Sequence, residues 1–291
     1  MITFTLSTFN TLNYLKLAVK SVRSNSFYKD APFIIHAENC TDGTNEWLLE
    51  NKDRFDLEVY IENNQIPRGI GGGMNFCADK VKTKYIGFLS SDFVMATNWD
   101  KELVDICESH TDDKIWTFSY RIEPDIFNDP VSRPGVLKVD VDTFGEYHTN
   151  FNNDYFLNFA SEFSELNDIQ YHGIPMGVSG VISKTGWDYI GGNDDRFAPM
   201  YWEDADIFIR MVNEGYKFVL SSKSVLYHFA SRTSRFPDDN LKSRPAHLAE
   251  YEQRSLNRFI QKYGQLPIHG PLGEYNPMNI IDGSLNRITN I

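Results

Sequence analysis

Cysteine is scarce in this chain: Cys40, Cys77 and Cys107 are the only three among 291 residues. They are too few and too scattered for a disulfide framework or a zinc site. No apolar run approaches the ~20 residues that cross a bilayer, so no transmembrane segment is expected. No leader precedes the first β-rich run, which begins at Ile2, and the expectation is a cytoplasmic protein. Positive charge is in deficit, with 28 Lys and Arg against 40 Asp and Glu and a formal net charge of −12. Such a surface repels phosphate backbones, so nucleic acid is not an expected partner. Internal repeats and low-complexity tracts are absent.

The length suits one large α/β domain plus an extension, read as 1–232 and 233–291. Aromatic residues reach 14%, with 21 Phe and 15 Tyr; they suit a bulky core or surfaces for sugars and bases. Charge is uneven along the chain. Between Ala230 and Gly264, seven Lys and Arg stand against four Asp and Glu, so an anionic ligand is expected near this stretch.

Strand-like runs alternate with helical spacing. Strands are predicted at Ile2 to Ser7, Pro32 to Ala37, Leu57 to Ile61, Tyr85 to Leu89 and Ile115 to Tyr120. Helices are predicted from Asn13, from Thr44, after Gly69 and from Trp99. That alternation implies right-handed βαβ units and a mainly parallel sheet with helices on both faces. Ligands in such sheets gather at the carboxyl ends of the strands. From Arg121 to about Gly173 the pattern fails, and the stretch reads as a long irregular segment. Regularity returns with a strand at Val178 to Ser183 and a helix from Glu203. Two short strands, Lys217 to Leu220 and Val225 to His228, and a last amphipathic helix from Pro245 to Tyr263 complete the reading.

Four clusters carry candidate chemistry. Ser7-Thr8-Phe9-Asn10 and Glu38-Asn39-Cys40-Thr41-Asp42-Gly43-Thr44 place amides and a carboxylate at adjacent strand ends, where they suit a base edge and a ribose. The same residue types also suit turns and helix caps. Arg68-Gly69-Ile70-Gly71-Gly72-Gly73-Met74-Asn75 allows close backbone approach at a helix start, either to a diphosphate or to neighbouring structure. It is neither a Walker loop nor a dinucleotide fingerprint. Ser90-Ser91-Asp92 ends an apolar strand on one carboxylate, which suits a divalent cation or a turn cap. Tyr201-Trp202-Glu203-Asp204-Ala205-Asp206 opens a helix with adjacent acids beside aromatic rings. Asp206 and Arg210 are spaced for an i,i+4 pair and read as structural.

In order and approximate spacing these clusters, with Gly191-Gly192 and His228, resemble the family 2 glycosyltransferases of the GT-A fold. The resemblance covers about residues 2–232. It implies an α/β, Rossmann-like sheet followed by a C-terminal helical extension. Thr8, Glu38 and Asn39 would hold the nucleoside of a nucleotide-diphosphate sugar, UDP-sugar by default, and Gly69 with Asn75 would line its ribose and diphosphate. Asn10, Ser91 and Arg232 would complete the donor set. Asp92 and His228 would ligate a divalent metal, manganese or magnesium, with the imidazole tilting the choice toward manganese. Asp204 would be the catalytic base and Glu203 its acidic partner.

Ser90 departs from the family pattern, standing where the first metal-motif Asp usually sits, and Glu38 replaces the common Asp. The reaction implied is an inverting displacement by a hydroxyl of a glycan or other acceptor. A nucleotidyltransferase would need a basic Gly-rich loop soon after the first strand, and Ser7 to Asn13 has neither Gly nor Lys. A non-catalytic sugar-binding or assembly module is the other alternative, with Ser90 in its favour. On the last helix Leu248, Leu256, Phe259, Ile260 and Tyr263 share a face, while Arg254, Arg258 and Lys262 repeat every four residues. Packing against the catalytic domain or a second subunit is expected of it, with peripheral membrane contact as the alternative.

Overall fold

Four parallel strands carry the first half of the chain: β1 (Ile2–Thr8), β2 (Phe33–Glu38), β3 (Leu57–Glu62) and β4 (Tyr85–Leu89). Helices α1 (Leu12–Asn25), α2 (Thr44–Asn51) and α3 (Gly69–Lys80) connect them, and the strands lie in the order β3-β2-β1-β4. The computed structural model describes residues 1–126, 135–173, 179–230 and 246–264. Every residue of β2 is buried, and its side chains alternate between two cores as strand geometry requires. Phe33 and Ile35 join the core that α1, α2 and helix α4 (Trp99–Ser109) cover. Ile34 joins the opposite core, with Met74 and Cys77 of α3.

The sheet continues through β9 (Val181–Ser183), β6 (Ile115–Pro124), β10 (Lys217–His228) and β5 (Phe93–Met95). β9 runs antiparallel to both β4 and β6, β10 is parallel to β6, and β5 is antiparallel to β10. Helix α8 (Glu203–Asn213) buries Ile207, Phe208 and Met211 on the α3 side, beside Trp187 of α7 (Lys184–Ile190). Helices therefore cover both faces, in a mainly parallel sheet, as the sequence predicts. No helix among the described residues is long and apolar enough to cross a membrane.

The structure corrects the reading in two places. The segment from Arg121 to Gly173 is not irregular throughout. β6 runs on to Pro124, and β7 (Val136–Val139), α5 (Val141–Phe144), α6 (Asn153–Leu166) and β8 (Gln170–His172) follow. The Asn and Asp residues that suggest turns are partly helix starts: the side chain of Asn152 accepts from the Tyr155 N–H at 3.1 Å and caps α6. Phe156 and Ala160 then bury a helical face against Phe144 and Tyr227. The second correction concerns β10, which is one strand rather than two. Its polar centre stays in the sheet because the serines are satisfied there. Ser222 donates to Asn167 O at 3.0 Å, Ser224 and Ser119 pair at 2.7 Å, and a bulge between Ser221 and Val225 absorbs the register.

The last helix, α9 (Ala246–Tyr263), packs against α8 and a 3-10 turn at Asp195–Phe197. Phe259 and Tyr263 enter a cluster with Phe197, Trp202, Ala205 and Ile209. Its basic residues are engaged within the chain. Arg254 and Arg258 donate to Ala198 O at 2.9 and 3.2 Å, and Lys262 pairs with Asp194 at 2.7 Å and Asp206 at 2.5 Å.

Candidate active site

Because β1, β2 and β4 are parallel, their carboxyl ends bring Thr8, Glu38, Asn39 and Ser91 to one edge of the sheet. A cavity of about 260 Å³ opens there, lined by these four residues and by Gly69 at the start of α3. Of the expected donor residues, Asn10 and Asn75 do not line it. Asn10 accepts from the Thr41 N–H at 2.7 Å and ties the two strand-end turns together. Asn75 accepts from the Asn193 N–H at 2.8 Å and donates to Asn193 O and Asp195, so it anchors α3 to the segment after α7. Arg232 lies outside the described residues.

The glycine run is explained largely by close packing. Gly69 has φ +69°, and a Cβ there would meet Pro199 O at 2.1 Å. A Cβ on Gly73 would meet Ser7 Oγ at 2.1 Å. Together they let α3 lie directly on the end of β1 and on the loop at Pro199.

Glu38 fills the start of α3. Its Oε1 accepts from Arg68 N–H at 2.7 Å and from the Asn64 amide at 2.9 Å, and Oε2 accepts from Gly69 N–H at 3.0 Å. A helix N-terminus with orphan N–H groups favours such a carboxylate. Asn39 clasps the Asn64 backbone on both sides, at 2.7 and 3.0 Å. Beneath them runs a relay that the sequence reading missed. Ser7 Oγ lies 3.1 Å from Nδ1 of buried His36, whose Nε2 lies 2.9 Å from Glu62. Glu62 in turn accepts from Arg68 at 2.6 Å; that bond leads in lowering its pKa to about 2, against the opposing effect of burial.

The second half of the site follows from the antiparallel pairing of β5 with β10, which sets His228 opposite Phe93, the residue after Asp92. His228 Nε2 lies 3.4 Å from Asp92 Oδ2, and Nδ1 lies 2.6 Å from Glu123 Oε1. Burial works to lower the His228 pKa, but the charges of Asp92 and Glu123 outweigh it and raise the value to about 9. Arg121 shares a face of β6 with Glu123 and is buried. Desolvation lowers its pKa, opposed in order by Glu123, Asp92 and Asp204, which places it within electrostatic reach of all three. Arg121 and Glu123 lie just beyond Tyr120, where the sequence predicts that the strand ends. The alternation Tyr120-Arg121-Ile122-Glu123 was the available signal.

This arrangement can take a divalent ion provided the ion displaces the proton that the two carboxylates favour on His228 Nε2. Glu123 at Nδ1 would be the outer-shell partner that orients the ring if a metal bound the opposite nitrogen, and that nitrogen faces Asp92. Among the described residues no three His, Cys, Asp or Glu form a cluster able to hold a metal. Two protein ligands are a number that substrate phosphates and water can complete.

α8 begins with Glu203 and Asp204 after two non-glycine residues in the left-handed region, Tyr201 (φ +75°) and Trp202 (φ +71°). Such conformations cost ~1–2 kcal/mol per residue, and they occur where surrounding packing imposes them. Trp202 is held by Phe259 of α9 at 5.6 Å between ring centroids. Glu203 is buried, and its Oε2 has no hydrogen-bond partner among the described residues. Burial, with the neighbouring charge of Asp204 second, raises its pKa to about 8. Asp204 Oδ1 accepts from the Ala205 N–H at 2.8 Å. Asp206 is structural, as its spacing suggests, with Arg210 at 2.9 Å.

The sequence model of the family described as glycosyl transferase family 2 matches residues 3–176. No curated protein matches the chain. Among solved structures, GalNAc-T7 with UDP, GalNAc and Mn2+ superposes with a TM-score of 0.56 at 16% identity, over 78% of this chain and 43% of that one. This chain thus spans less than half of that relative. S. aureus TarS 1-349 gives a TM-score of 0.53 at 11% identity, over 89% of this chain and 72% of that one. The same fragment in complex with UDP gives 0.52 at 12% identity, over 91% and 72%. These likenesses establish the GT-A fold.

Proposed function

The chain belongs to glycosyl transferase family 2, and from that premise we propose that it moves a sugar from a nucleoside diphosphate to a hydroxyl of a glycan or other acceptor. The observation that carries the reading is the grouping of Asp92, His228, Glu123 and Arg121, with Asp204 in electrostatic reach of Arg121, where Asp92 directly follows Ser91 of the strand-end cavity. Neighbours solved with UDP, one of them also with Mn2+, support UDP as donor nucleotide and a divalent ion, manganese or magnesium.

Thr8, Glu38 and Asn39 meet the nucleoside end of the donor, and Gly69 and Ser91 meet its ribose and diphosphate. Asp92 and His228 would hold the ion, which when bound would supply positive charge against the diphosphate. Inversion requires a base on the face opposite that leaving group. Asp204 takes the proton of the acceptor hydroxyl while its oxygen bonds the anomeric carbon and the bond to the diphosphate breaks. Glu203 stays protonated near neutral pH because burial and Asp204 raise its pKa to about 8. Asp204 is in this reading the member of the pair that accepts the proton. Buried Arg121 adds the compensating positive charge.

Release of UDP from UDP-sugars, with manganese and with or without glycan acceptors, tests the reading. Asp204→Asn should lower turnover by ~10²–10⁴-fold while UDP binding persists. Turnover near wild type in that variant would sink the assignment. Ser90 at the first metal-motif position favours a non-catalytic binding module instead; UDP binding without any metal-stimulated release in the wild-type protein would establish that alternative.

A further inference from the structure

The far wall of the strand-end cavity comes from α9, beyond the 3–176 stretch that the family model matches. His247, Leu248 and Tyr251 line it, at the i, i+1, i+4 spacing that shares one helix face. Leu248 is buried and anchors the helix. Tyr251 is half-buried, and its surroundings fix it. The Arg254 guanidinium lies 5.3 Å from its ring centroid, and the His247 ring meets it edge-on at 5.7 Å.

This wall is tied to the nucleoside end of the cavity through a continuous set of bonds. Arg254 donates to Ala198 O at 2.9 Å and Ser255 to Met200 O at 2.9 Å. Between them Pro199 O accepts the Ile70 N–H at 2.8 Å and packs on Gly69, whose own N–H is held by Glu38. α9 is thereby fixed to the element that carries Glu38. On the β1 side the cavity is lined by Phe9, which is 57% exposed. A cavity with an aromatic ring on each of two elements, and a carboxylate and amides at the strand ends, suits a flat heteroaromatic base more than a sugar or phosphate alone.

We infer that Tyr251 of the C-terminal helix is a donor-binding residue that stacks on the nucleobase, so that α9 forms part of the nucleotide site. The inference rests on the nucleotide-sugar reading above. Its surface chemistry explains the helix's position: an aromatic face accepts any base, and selection among bases falls to the strand-end groups.

Calorimetric titration of the full chain with UDP, GDP, dTDP and inorganic pyrophosphate, in manganese, tests it. Tyr251→Ala should weaken the tightest nucleoside diphosphate by roughly 5- to 100-fold, the range expected for loss of one base–aromatic stack. Pyrophosphate, which has no base, should bind as before. Tyr251→Phe keeps the ring and should bind like the wild type. Unchanged nucleotide affinity in Tyr251→Ala overturns the inference, as does an equal loss for nucleotide and pyrophosphate, which would make Tyr251 a support of the fold only. A wild-type protein that binds no nucleoside diphosphate instead overturns the functional reading on which the inference stands.

Discussion

At the scale of single residues, the acid pair at the start of α8 shows how position separates two similar groups. Glu203 and Asp204 are neighbours, yet Glu203 is buried with an oxygen that has no partner among the described residues, while Asp204 accepts from a backbone N–H. The consequence for stability has a definite sign. An unfolded chain releases the Glu203 proton near the ordinary value of 4.5, whereas the folded protein keeps it up to about 8. Between those values the unfolded state binds fewer protons, so this group makes stability fall as pH rises. The loss is complete above the folded value and is on the order of a few kcal/mol. Glu203→Gln should therefore gain stability relative to wild type between pH 5 and pH 9, measured by urea denaturation at each pH. Parallel pH profiles for the two proteins would show that Glu203 is not held neutral. Nothing in the sequence displayed this difference, because adjacent acids at a helix start look equivalent until burial is known.

Among elements, the sequence exposed what depends on local pattern and hid what depends on pairing. The βαβ half was legible because β1, β2 and β4 are β-rich runs bounded by turn residues, α1 carries helical spacing, and turn residues and glycines mark the starts of α2 and α3. α6 was hidden by the Asn and Asp residues at its start, and the continuity of β10 by serines whose partners lie elsewhere in the chain. The candidate site divides the same way. Thr8, Glu38 and Ser91 stand at strand ends that periodicity locates, while Glu123 and Arg121 reach the site only through the pairing of β6 with β10. α9 is the element whose attachment can be tested most directly. Asp206 is fully buried and holds Arg210 at 2.9 Å, Lys262 at 2.5 Å and the Tyr263 hydroxyl at 2.6 Å. Removing one partner of a buried ion pair costs ~3–5 kcal/mol, because the opposite charge is left uncompensated. Asp206→Ala should destabilise by about that much in chemical denaturation, and limited proteolysis should cut first around α9. A change below ~1 kcal/mol would mean the network is solvated and contributes little.

For the whole molecule, the distribution of charge frames how an anionic donor is received. The chain carries a formal net charge of −12, and the proposed site adds Asp92, Glu123 and Asp204 within reach of Arg121. A diphosphate entering there meets carboxylates as well as Arg121, so its binding should depend on a divalent ion that neutralises Asp92. Ligand that binds only the folded state raises apparent stability by RT ln(1 + [L]/Kd), about 2.7 kcal/mol at a hundredfold excess over Kd. UDP and manganese together should therefore raise the melting temperature by more than the sum of their separate effects. That excess should vanish in Asp92→Asn, which keeps the side chain's shape and removes the charge. Thermal melts of both proteins with UDP alone, manganese alone and the two combined make the comparison. Additive shifts in the wild type, or an undiminished excess in Asp92→Asn, would show that nucleotide and ion do not meet at this carboxylate.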